Sequence, residues 1–149
     1  CLTAGQGHNV SLELGGKLDP VHGSPLAVTG RVETIVPGPA GSGGCQAVVR
    51  VGGIRVILTE YRRPFHLRND FLRLGVDPLD HAVTVVKIGY LEPELKAMAS
   101  HHLLALSPGA VPPLLQASAY QNLQHPIFPF DPVDLWSPEP RLFQSTPAW

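Results

Sequence analysis

Five residues have types and spacing that suit an anionic ligand: Arg62, Arg63, His66, Lys87 and Tyr90. Two adjacent arginines leaving a strand end can grip a carboxylate or phosphate through paired N–H groups. His66 follows three residues later. Lys87 comes directly after Val83-Thr84-Val85-Val86, and a charge at the end of a buried strand needs a partner or an opening. Tyr90 stands one residue past Gly89, at the mouth of an expected helix, where ligands sit in α/β units. Against this stands a plainer reading, in which Lys87 snorkels and the arginines are solvated.

Other chemistries lack their patterns. The seven histidines (His8, His22, His66, His81, His101, His102 and His125) show no H-x-x-x-H spacing and no cysteine partner at ligand distance in sequence. On a helix, neighbours such as His101 and His102 point roughly 100° apart and do not readily share one ion. His102 falls on the apolar side of its expected helix and reads as a core histidine. Ser11, Ser24 and Ser107 have no G-x-S-x-G context. Gly15-Gly16-Lys17 suggests a phosphate loop, but the full spacing is missing and Leu18 stands where a hydroxyl belongs, so it reads as a turn. Glu92 and Glu94 suit the first turn of a helix, where carboxylates meet the positive end of its dipole. No catalytic residue and no metal ligand are assigned within the chain.

The elements that must position the five residues can be read from the pattern. Asn9–Leu14 alternates polar and apolar and predicts a strand. Pro25–Val36 predicts a second, with Gly30 as its bulge or bend. Pro37–Gly44 is a loop. Gln46–Val51 and Ile54–Tyr61 flank Gly52-Gly53, a two-residue hairpin signal. Leu67–Leu74 predicts a short helix stopped by Gly75, with Asp77-Pro78 opening another turn.

Ala82–Ile88 reads as a buried β-branched strand. After it, Pro93 opens a helix whose apolar side holds Leu95, Met98, Ala99, His102, Leu103 and Leu106, with Ser107-Pro108-Gly109 as the stop. The order, strands and then helix, strand, helix, predicts an α+β fold. It comprises an antiparallel β-meander of about four to five strands, two helices and an extended proline-rich C-terminal strap. Residues 1–109 make the domain and 110–149 the tail. Nine of the sixteen prolines fall in the last 43 residues, which disfavours regular structure there. Ile127-Phe128-Pro129-Phe130, Leu135-Trp136 and Phe143 are nevertheless too apolar for a free tail, so it is expected to lie over the domain surface or over a partner domain.

At 149 residues the chain suffices for one core. A net charge of −1 argues against nucleic acid as partner, and no apolar run is long enough to span a bilayer. Charged residues are only 15%, which suggests a surface covered by something else. Cys1 stands first and Met98 is the only methionine, so a piece of a longer protein is expected. Cys1 and Cys45 form no C-x-x-C pair, and the default setting is reducing and cytoplasmic.

Several pieces, in order, resemble the C-terminal domain of the MlrC-type metallopeptidases, the family named for the microcystin-degradation protein MlrC. They are Leu14-Gly15-Gly16-Lys17 with Asp19-Pro20, Val49–Gly53 running into Val56–Thr59, and Arg62-Arg63-Pro64-Phe65. Phe71 with Leu74–Pro78, Val85–Leu95, Ser107-Pro108-Gly109 and Phe128–Asp131 complete the set. The resemblance implies a two-domain hydrolase whose metal centre, usually zinc, lies in a larger N-terminal domain absent here. On that basis no zinc is bound by this chain, and its partners are the missing N-terminal metal-binding domain and a peptide or amide substrate, with self-association open. This domain would close the substrate cleft, with Lys87 and Tyr90 facing it. Many members carry Lys-Ser-x-x-His-Phe after the last strand. Here Lys87 is kept but Leu91 stands at the histidine's place, so microcystin itself is not implied as the substrate. The alternative is a non-catalytic, stand-alone binding or assembly module.

Overall fold

The computed structural model describes residues 1–17, 19–39, 41, 43–107, 120–132, 139–140 and 142. They belong to two compact units, Cys1–Pro113 and Leu114–Trp149. Of the sequence features named above, Leu18, Pro108-Gly109, Leu135-Trp136 and Phe143 lie outside the described residues.

The first unit is built on β1 (Asn9–Leu14), β2 (Leu26–Val36), β3 (Gln46–Val51) and β4 (Ile54–Thr59), antiparallel and in sequence order across the sheet. β1 and β3 have the bounds their alternation predicts; β2 starts one residue later and β4 ends two residues earlier. Val51 pairs with Ile54, so Gly52-Gly53 is a two-residue hairpin, and Gly52 takes the positive φ of 58° that such a tight turn requires. Among the described residues two helices complete the α+β arrangement: α1 (Arg68–Leu72) and α2 (Pro93–Met98), with a 3-10 turn at Pro78–Asp80 between them.

Gly30 is not the bulge. It pairs in register with Val10, and the irregularity lies between Val32 and Thr34, which makes Glu33 the extra residue. Gly30 is needed for another reason: a Cβ there would stand 2.5 Å from the Arg50 carbonyl oxygen and 2.7 Å from Val49 Cγ1. The bulge has a consequence for the faces of the sheet. It turns Thr34 and Val36 to the side of Val48 and Ile57. On that side Val48 packs with Leu74 and Val76, and Val36, Ile57 and Phe65 close around them. The Phe65 and Phe71 rings meet with centroids 4.9 Å apart. The register gives the other side Val10, Leu12 and Leu14 of β1, with Val32 and Val49 buried at its middle.

Leu74 is fully buried at the centre of the helix-bearing side. Leu74→Ala is expected to lower stability by about 3 kcal/mol, through lost burial and the cavity left behind. A urea midpoint equal to the parent's would show that this side chain does not hold the layer to the sheet.

α1 ends as its glycine predicts. Gly75, at φ 75°, donates its N–H to Leu72 O, and the Val76 N–H reaches Phe71 O, the paired bonds that close a helix at a left-handed residue. Val76 is thereby carried into the core.

Two expected elements are corrected. Ala82–Ile88 is not a strand: no backbone hydrogen bond pairs it with a neighbour among the described residues, and Val83 and Val85 are exposed, Val85 at 88%. A β-branched run prefers a pleated, half-buried surface, but it becomes a strand only where an edge is offered. The helix opened by Pro93 stops at Met98 and does not continue toward Leu106. Of its apolar stripe only Leu95 is buried, while His102, Leu103, Leu104 and Leu106 are exposed. A short helix without packing for its apolar side does not propagate. His102 is therefore not a core histidine.

Candidate functional site

The chain leaving β4 is pinned before it reaches the two arginines. Glu60 N–H donates to Cys45 O and Tyr61 N–H to Gly43 O, both at 3.0 Å. Glu60 Oε2 accepts the Cys45 N–H at 2.9 Å. The loop before β3 can come this close because Gly44 has no side chain: a Cβ would lie 2.6 Å from Glu60 Oε2. Arg62 then points into solvent with no polar partner among the described residues.

Arg63 turns inward. Its Nη2 donates to Asp70 Oδ1 at 2.5 Å, while Asp70 Oδ2 accepts the backbone N–H groups of His66 and Leu67, each at 3.0 Å. Leu67 precedes the first turn of α1 and has no side chain that could cap it, so Asp70 reaches back to its N–H. Arg73 extends the cluster, donating from Nη2 to Gln46 Oε1 at 2.5 Å and from Nε to Asp70 O at 3.3 Å. Gln46 is buried, and a polar side chain taken from water needs such a partner. Burial pushes the Asp70 carboxyl up, but the Leu67 and His66 N–H groups and the Arg63 guanidinium outweigh it and hold it below the usual range.

A second string of polar contacts ties the helices to the sheet. Arg68 grips Asp77 with two nitrogens, Nε to Oδ1 at 3.0 Å and Nη2 to Oδ2. That grip, followed by the Leu79 N–H, keeps the Asp77 carboxyl below its ordinary value. The Asp77 carbonyl oxygen lies 2.8 Å from His81 Nδ1, and His81 Nε2 lies 3.1 Å from Arg55 Nη1. A guanidinium only donates and a carbonyl only accepts, so the two contacts are met together by the His81 tautomer that carries its proton on Nδ1. Glu94 Oε1 accepts the Arg68 N–H at 2.8 Å, so a residue in the first turn of α2 caps the first turn of α1. Glu92 Oε1 stands 3.6 Å from His66 Nε2.

The five residues singled out by type thus divide. Arg63 and His66 meet at Asp70, and His66 also faces Glu92. Arg62, Lys87 and Tyr90 are exposed, and no hydrogen bond or ion pair joins them to other described residues. Lys87 and Tyr90 lie in the segment leading into α2, which Glu92 and Glu94 fasten to the region around His66 and Arg68.

Among the described residues two further histidine–aspartate pairs occur, His22 Nδ1 with Asp19 Oδ2 at 2.7 Å and His125 Nδ1 with Asp131 Oδ2 at 2.5 Å. In each the aspartate also accepts backbone N–H groups, from Val21 and His22 or from Ile127, so both pairs build local turns. Neither is hydrogen-bonded to a serine or cysteine among the described residues. Cys1 and Cys45 are unpaired. The donor set that zinc requires is not assembled among the described residues: no three histidine, cysteine or acidic side chains come together to hold an ion. No helix among them is long and apolar enough to cross a membrane.

Reasoning from residue type missed Asp70, Arg73 and Gln46. The available signal was positional: an acid three residues after Leu67, at the start of a predicted helix with no capping side chain, is placed to bond backward. Gln46 carried no signal, because only the fold reveals that it is buried. Among known proteins, a family described as MlrC C-terminus matches residues 1–122. No curated protein matches the chain.

Proposed function

From the premise that this chain belongs to the MlrC family as a C-terminal domain, we propose that it completes the substrate cleft of a metal-dependent hydrolase acting on peptide or amide bonds. The zinc centre is held by an N-terminal domain of the full protein, and the enzyme is cytoplasmic. The match over residues 1–122 carries this reading.

Two features of the first unit support it. Val83, Val85, Leu103 and Leu104 present apolar side chains to solvent, surface that a second domain would remove from water. Arg62, Lys87 and Tyr90 are polar groups with no partner among the described residues and can hold an anionic part of the substrate. Arg63 and His66 contribute through Asp70 and Glu92, which fix the segments on either side.

The test is amidase activity and metal content of the 149-residue chain, alone and mixed with an MlrC-type N-terminal domain. Activity is expected only in the mixture. Stoichiometric zinc with activity in the isolated chain would overturn the division of labour. Within the complete enzyme, Lys87→Ala is expected to raise KM or lower kcat about tenfold, the effect of one lost charge-assisted contact. Unchanged kinetics would remove Lys87 from the site.

A further inference from the structure

Arg31, Arg50 and Arg55 stand in one row across three strands. Arg31 is directly opposite Arg50 between β2 and β3, and Arg50 is directly opposite Arg55 between β3 and β4. Like charges facing each other on a sheet repel. Glu33, swung to this side by the bulge, is the one carboxylate that meets the row among the described residues. Its Oε2 accepts from Arg55 Nε at 2.7 Å, and its Oε1 lies 3.7 Å from Arg50 Nη1. Three guanidiniums against one carboxylate leave two positive charges, in a chain whose net charge is −1.

The two outer guanidiniums of the row differ in what they have left to offer. Arg55 is occupied on both sides, by Glu33 and by His81. Arg31 is steadied from behind by its Nε donating to Gly7 O at 3.0 Å, and the middle residue, Arg50, likewise by its Nε donating to Gly52 O at 3.1 Å. Those bonds use Nε and, among the described residues, leave Arg31's terminal nitrogens without an acceptor and Arg50's with only the distant Glu33. Arg31 and Arg50, with Gln6, Gly7, Val32 and Glu33, line an open hollow of about 560 Å³. A local rule of sheet building is broken here, and such breaks concentrate where function compensates them.

We propose that this hollow binds a small, multiply charged oxyanion, phosphate or a dicarboxylate, held between Arg31 and Arg50. Planar guanidiniums match the paired oxygens of such groups. The anion removes the repulsion within the row, so the row is most stable when the hollow is filled. The site is independent of the hydrolase reading, because none of its residues belongs to the set around Lys87.

Calorimetric titration of the 149-residue chain with inorganic phosphate and, separately, succinate tests this, at ionic strength matched with chloride because exposed charges are screened by salt. Saturable one-to-one binding is expected, weakened about tenfold or more by Arg31→Gln and by Arg50→Gln, and unchanged by Lys17→Gln. Response to phosphate alone assigns a phosphoryl ligand; response to both anions assigns the hollow to carboxylates as well. Thermal melting in chloride separates binding from folding: Arg50→Gln should melt no lower than the parent, since it relieves repulsion. Binding of neither anion beyond chloride, or binding that survives either arginine substitution, would overturn the proposal.

Discussion

Asp70→Ala is expected to destabilise the domain by about 3 kcal/mol, and the loss should fade as the solution is made acidic. One carboxylate satisfies the His66 and Leu67 N–H groups and the Arg63 guanidinium. Removing it leaves two backbone donors at the start of α1 without their acceptor and takes from the largely buried Arg63 its carboxylate partner. The folded carboxyl sits below its unfolded value of 3.8, so its contribution is complete above that pH and is lost as pH falls through the lower folded value. Asp77 adds to the same acid limb in both proteins, and the difference between parent and variant therefore isolates Asp70. Urea denaturation from pH 7 down to about pH 3 gives the result. A gap between the two proteins that stayed constant over that range would rule out the charged form as the stabilising one.

Gly30→Val should be at least as damaging, by a different route. The new Cβ would lie 2.5 Å from Arg50 O, 2.7 Å from Val49 Cγ1 and 2.8 Å from Val51 Cγ2. A neighbouring strand cannot yield to that overlap without breaking its own pairing, so a loss of about 3 kcal/mol is expected. Gly53→Ala serves as the control. Nothing lies within 4 Å of a Cβ at that hairpin position, and stability there should change by less than about 0.5 kcal/mol. Equal melting temperatures for the two variants would show that β2 and β3 do not approach as closely as described.

The sheet was legible because its signals are local. Alternation in Asn9–Leu14, the Gly52-Gly53 pair and the glycine after α1 each specify a short piece, and each piece has its partner within the same unit. The failures share a cause. Ala82–Ile88 has the residues of a strand, and Leu103–Leu106 has those of a helix face, but among the described residues neither has a surface to complete it. Composition reports what a segment prefers, and the outcome depends on whether the fold supplies it. The candidate site shows the same limit. Arg62, Lys87 and Tyr90 could be picked out by type, whereas Arg63's partner had to be learned from the fold because seven residues separate it from Asp70.

Every strand in this sheet lies beside its sequence neighbour, with no crossover. Such an arrangement needs no crossover, so each hairpin can close with less chain entropy than a pairing of strands distant in sequence would cost. It can also form vectorially. As the chain leaves the ribosome, β1 to β4 can zip in turn before Arg68–Leu72 arrives to lay Leu74 and Val76 on the finished sheet. The sheet would then be the nucleus and the ionic cluster around Asp70 a late addition. On that order of events, Asp70→Ala chiefly speeds unfolding and Gly30→Val chiefly slows folding.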